Sequence, residues 1–147
     1  MSNLSKAIKV TVVEAAAAAG TSELVTDVLD MSGYEGVMFL AILGDVTSDS
    51  VLTLTVKGNS ANSVSSPTPV TQKATDAFTA DATTADSKVL FVDVYKPTLR
   101  YVFGSLTRTA ANAVVGGVIA IQYGATNKPT SQHASVIASA FGLGVAS

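Results

Sequence analysis

Apolar and polar residues alternate along Ile8-Lys9-Val10-Thr11-Val12, and again along Val51-Leu52-Thr53-Leu54-Thr55-Val56-Lys57-Gly58. A period of two sends successive side chains to opposite faces, so each run predicts a strand with one face on a core. Gly36-Val37-Met38-Phe39-Leu40-Ala41-Ile42-Leu43-Gly44 breaks that alternation. It is apolar on both faces, short, rich in β-formers and bounded by glycines, which predicts a central strand covered on both sides. Asp45–Ser50 is a polar turn, and the strands flanking it read as an antiparallel hairpin. Leu24–Leu29 is a further, less regular strand candidate.

The stretch from Val89 to Phe103, VLFVDVYKPTLRYVF, holds four of the chain's nine Phe and Tyr residues. Val89–Tyr95 reads as a strand and Lys96–Thr98 as a turn, because proline cannot serve a central ladder. In the strand that follows, Leu99, Tyr101 and Phe103 point one way and Arg100 and Val102 the other. A tight turn there would set Asp93 beside Arg100. Gly104–Arg108 continues or bulges this strand, Thr109–Asn112 turns, and Ala113–Gly124 is the last long strand. Asn59–Ala85 is rich in Ser, Thr and Ala and contains Pro67 and Pro69, with a helical turn expected at Thr75–Phe78. About eight strands with polar connections predict an all-β fold, a single antiparallel β-sandwich, with a jelly roll as one form. Residues 1–8 and 127–147 flank the sandwich, 9–126, as extended N- and C-terminal arms.

Composition adds one strong constraint. Of 147 residues, 48% are hydrophobic and 14% charged, where soluble domains carry about 25% charge. Mean hydropathy is +0.41. Part of that excess is alanine, and part calls for surface covered by a partner. The net charge of −2 is scattered, so the basic stripe of a nucleic-acid binder is missing. Glu14 interrupts what would be the apolar stretch of a signal peptide. The run Ala113–Ile121 falls well short of the roughly 20 residues of a spanning helix. The expectation is a soluble or assembled protein with no membrane partner.

Candidate chemistry is sparse. There is no Cys and one His, His133, which leaves zinc or iron without adequate ligands. Asp45–Ser50 lacks the spacing and the closing Glu of a calcium loop, and Gly116-Gly117 lacks the phosphate-loop pattern. A serine nucleophile would need a base, and the lone His lies in a terminal segment. No catalytic, cofactor or metal residue is assigned, and no enzyme activity is expected. Tyr101 and Phe103 alternate as a core or subunit seam would. The interface candidates are Arg100, Tyr101, Phe103, Tyr123, Ile137, Phe141 and Leu143, the last three on a terminal arm too weakly apolar to fold alone.

Three stretches carry a resemblance: YEGVMFLAILG from Tyr34, VYKPTLRYV from Val94 and GVIAIQYGA from Gly117. Over about Tyr34–Ala125 the chain resembles small virion structural proteins of tailed bacteriophages, among them capsid decoration, or cement, proteins. The turn and strand Lys96–Tyr101 is the most specific element. The resemblance implies a β-sandwich on the capsid surface of the virion, bridging neighbouring subunits of the major capsid protein, with a homo-oligomer, a trimer above others, as its own state. It also implies arms laid along adjacent capsid or sister subunits. A tail, fibre-associated or head-completion component is the alternative, and a carbohydrate-binding module using Tyr34 and Phe78 is a more distant one.

Overall fold

In the computed structural model, which describes residues 3–82 and 84–144, a short helix α1 (Leu4–Ala7) leads into a chain of strands. These are β1 (Lys9–Glu14), β2 (Ala17–Gly20), β3 (Leu24–Val25), β4 (Leu29–Asp30), β5 (Gly36–Val46) and β6 (Val51–Asn59). They continue as β7 (Val70–Ala74), β8 (Phe78–Thr79), β9 (Val89–Tyr95), β10 (Tyr101–Thr109) and β11 (Ala113–Tyr123). The first sheet has the order β1-β11-β5-β9, with β2 also on β11. The second has the order β3-β10-β6-β7, with β4 on β10 and β8 on β6. All these pairings are antiparallel. With β3 and β4 taken as one interrupted strand and β2 and β8 as short additions, the order is that of a jelly roll. The expected all-β sandwich is the fold.

Both expected hairpins are absent. β5 belongs to the first sheet and β6 to the second, so Thr47–Ser50 arches between sheets; the same holds for β9, β10 and the Lys96–Arg100 turn. The physical reason is neighbour choice. β5 is paired on both sides by β11 and β9 over most of its length, and β6 by β10 along its whole length and by β7 and β8 over parts of its other side. Polar turn residues suit an arch as well as a hairpin, so strand period alone cannot separate them.

The long connection is also partly regular. It adds β7 and β8 to the edge of β6, and no helical turn forms at Thr75–Phe78, where Phe78 opens β8. Thr75 N–H donates to Leu54 O at 2.9 Å, and Leu54 N–H to Thr75 Oγ1 at 3.1 Å, which draws the segment along β6. Asn59, 1% exposed, ties the loop before β7 by donating to the carbonyls of Ser63 and Pro67. β2 had no clear signal, because an alanine run favours helix over strand.

The core lies between the sheets. Phe39, Leu52, Leu54, Val56, Val102, Leu106 and Val118 supply it from inward positions on four strands. Gly104 sits opposite Phe39, and a Cβ there would meet the ring at 3.1 Å, so the missing side chain makes room for the aromatic. Arg108 enters the same interior, 5% exposed. Its guanidinium donates to the carbonyls of Ser22, Ala18 and Ala113 and so joins β10 to β2 and β11 across the sandwich.

Candidate interaction surfaces

The outer faces of the two sheets differ. On the second sheet, β6 and β10 turn Thr53, Thr55, Lys57, Ser105 and Thr107 away from the core, with Tyr101 and the buried Phe103 on the same face. On the first, register lines up Val12, Ile119, Leu40 and Phe91 in one row across β1, β11, β5 and β9. The next row is Val10, Ile121, Met38 and Asp93, and Ile42 stands beside Val89. Val12 is 41% exposed, Ile42 38%, Val89 52% and Phe91 56%. The expectation that β5 is covered on both sides holds only for its inner face within this chain. Its outer residues Met38 and Leu40 are shielded only in part, and no element among the described residues lies over the row.

One end of this sheet is polar and aromatic. Gly36 lies between Tyr123 and Tyr95 in register, and the Tyr123 ring occupies the space where a Gly36 Cβ would be, with Cζ 2.3 Å from that position. From this seat the Tyr123 hydroxyl donates to Asp93 Oδ1 at 2.5 Å. Burial and then that bond to a carboxylate push the phenol well above its ordinary range. Tyr95 donates to Glu35 Oε2 at 3.0 Å. Arg100 grips Asp30 bidentately, Nε to Oδ1 and Nη2 to Oδ2, both at 2.9 Å, and its fork lies 5.1 Å from the Tyr101 ring. The hydrogen bond from Arg100 holds the Asp30 carboxyl below its ordinary range. The expected Asp93–Arg100 pair is therefore not formed, because β9 and β10 sit in different sheets and each charge has another partner. An open groove lined by Met31, Tyr34, Glu35, Pro97 and Arg100 lies at this end.

At the opposite border, the C-terminal arm folds back on its own chain. β1 has β11 on one side, and its other side is met by arm side chains. Val10 N–H donates to Gln132 Oε1 at 2.8 Å and Val12 N–H to Ser135 Oγ at 3.0 Å. Gln132 Nε2 donates to Ile8 O at 2.8 Å, Thr130 N–H to Lys6 O at 3.0 Å, and Thr130 Oγ1 also donates to Ile8 O. Lys6 Nζ stands 5.6 Å from the Phe141 ring, and a groove lined by Lys6, Ile8, Val10, Val136 and Phe141 runs between arm and strand. Through Val10 that groove is continuous with the apolar sheet face.

Of the sequence candidates, Arg100 is exposed, and Tyr101 and Tyr123 are half-buried. Ile137 is 97% exposed, Leu143 81% and Phe141 46%. Phe103 departs from the expected seam: at 2% exposure its ring is covered within the chain and offers nothing to a partner. The residues the candidates omitted are Val12, Leu40, Ile42, Val89 and Phe91. For Leu40 and Ile42 the signal was the two-faced apolar run at 36–44, and Val12, Val89 and Phe91 join them only through strand pairing.

No cluster of three or more His, Asp or Glu side chains placed to hold a metal occurs among the described residues. His133 takes part in a local turn, its Nδ1 accepting from Ser135 N–H at 3.1 Å. No helix among the described residues is long and apolar enough to cross a membrane. Comparison with family models and with curated proteins finds no match. Among solved structures, the chain is similar to Eiger TNF from S. frugiperda, at a TM-score of 0.41 and 8% identity over 86% of this chain and 99% of that one. A likeness at that level carries no functional argument.

Proposed function

We propose that the protein is a structural component that works by protein–protein contact. In the form its sequence resemblance suggests, it is a decoration protein on the head of a tailed bacteriophage, bridging neighbouring capsid subunits. The observation that supports contact over chemistry is the apolar row Val12, Ile119, Leu40 and Phe91, which the chain leaves uncovered. Large exposed apolar patches on a stable domain mark sites where another protein sits. Jelly rolls also occur among viral capsid domains, an analogy of fold and nothing stronger.

The mechanism would be linkage: a subunit that binds the assembled shell and not its separated parts stabilises the shell. Each further capsid subunit touched turns a weak contact into an intramolecular one. The test is addition of the purified chain to undecorated heads. Binding in proportion to capsid subunits, with a higher temperature of head disruption, is expected. Failure to bind, or binding at only the few copies of a connector, would overturn the decoration reading.

A further inference from the structure

We infer that the groove between residues 31–35 and 96–100 is a binding site for a neutral saccharide. It is separate from the apolar sheet face and independent of the decoration reading.

The walls are fixed before any ligand arrives. Met31 N–H donates to Arg100 O at 2.8 Å and Lys96 N–H to Glu35 O at 2.7 Å, so the two segments are tied at both ends. Thr98 N–H and Oγ1 both donate to Gln72 Oε1 at 3.0 Å, which anchors the arch to β7. The groove encloses about 520 Å³, within the roughly 300–1,000 Å³ of small-molecule sites. Met31, Tyr34, Pro97 and Leu99 give it apolar and aromatic walls. Two polar groups on it are held in place and only partly used. Asp30 grips Arg100 through Nε and Nη2, and Nη1 donates to nothing among the described residues. Glu35 Oε2 accepts from Tyr95, and Oε1 accepts from nothing among the described residues. Gly124, at φ +66, clears the space for Glu35: a Cβ there would stand 2.6 Å from the Glu35 Cβ. A held donor and a held acceptor over an apolar wall need little further ordering to bind.

Charge selects the class of ligand. Lys96 and Arg100 are matched by Glu35 and Asp30, so the groove favours neither an anion nor a cation. A sugar ring carries adjacent hydroxyls, which donate to a carboxylate and accept from a guanidinium, and a C–H face that suits the Tyr34 ring and Pro97. An uncharged peptide offers separate amides and would engage one atom of each planar group. Phe78, which the sequence pairs with Tyr34 as a sugar platform, lies elsewhere. It is in register with Leu52 near the start of β6, whereas Asn59 at the other end of β6 meets Tyr101, next to Arg100. The site therefore rests on Arg100 and Glu35 beside Tyr34, without Phe78.

The experiment is titration of the isotope-labelled full chain with glucose, galactose, N-acetylglucosamine and lactose, each to about 50 mM, read by backbone amide shifts. Saturable shifts centred on residues 31–35 and 95–100 are expected, with a Kd of about 1–10 mM for at least one sugar. Glu35→Ala and Arg100→Ala change exposed side chains, and each should weaken that binding about tenfold or more. Phe78→Ala should leave it unchanged, and the amide spectrum of each variant reports whether it is folded. No saturable shift with any of the four sugars would overturn the inference, as would binding that Glu35→Ala and Arg100→Ala leave intact. Tighter binding of glucuronate or glucosamine than of glucose would overturn the assignment to a neutral ligand. A chain that binds heads but no sugar would sink this site alone; one that binds sugar but no head would sink the decoration reading alone.

Discussion

Arg108 stands at an inward position of β10 where the alternation calls for an apolar side chain, and three backbone carbonyls take the place of a counter-ion. Replacing it with methionine would leave those carbonyls without their donor. Arg108→Met should destabilise the chain by about 3 kcal/mol, measured by urea unfolding. Arg108→Lys should recover only part of that loss, since an ammonium cannot span the fork. Tyr123 supplies the pH dependence. Its folded phenol ionises above the ordinary 10.0, so its contribution is complete below that pH. Stability should then fall as pH rises past 10, because the unfolded chain gives up the proton that the folded one keeps. Unfolding midpoints from about pH 8 to about pH 11 should decline less steeply in Tyr123→Phe than in the parent. Neither residue announced itself in the sequence. A lone arginine in a Thr-rich strand looks like a surface charge, and the value of Tyr123 depends on Gly36, which is far from it along the chain.

Strand identity was legible wherever side chains alternate or run continuously apolar, as in β5, β6, β9, β10 and β11. Partnership was not, because a period of two describes faces and says nothing about which strand lies alongside. The turns after β5 and β9 therefore read as hairpins although both are arches. β2 was hidden because its alanines owe their extended form to β11 and Arg108. The arm was legible as a weakly apolar segment seeking a surface, but the surface it finds is the border of its own β1. Gln132 and Ser135 hold the Val10 and Val12 amides there. In a Gln132→Ala, Ser135→Ala double variant, those two amides should exchange with solvent about tenfold faster, read by hydrogen exchange, while the amides of β5 and β11 keep their protection.

For the whole molecule, low charge and positive hydropathy already pointed to a surface that water alone does not cover. Two-sided apolarity at 36–44 located it, although the sandwich as first read had no face left over. The jelly-roll order explains the mismatch. β5 lies inside the first sheet with neighbours on both sides, yet a two-layer fold covers each sheet on one face only. The polar end with Asp30, Arg100, Glu35 and Tyr95 depends on residues from separate strands and loops, so no local pattern could have assembled it.

The folded-back arm also governs how far edge-to-edge addition could proceed. A sheet with two open borders is a monomer unit in the polymer chemist's sense, able to add strands in both directions without limit. Here the β1 border of the first sheet is met by Gln132 and Ser135, which leaves β9 as that sheet's open long border, while β3 and β7 border the second sheet. The first sheet is in that sense monofunctional at its long borders. Pairing of first sheets through β9 would join two copies and stop, so that sheet by itself does not propagate edge to edge.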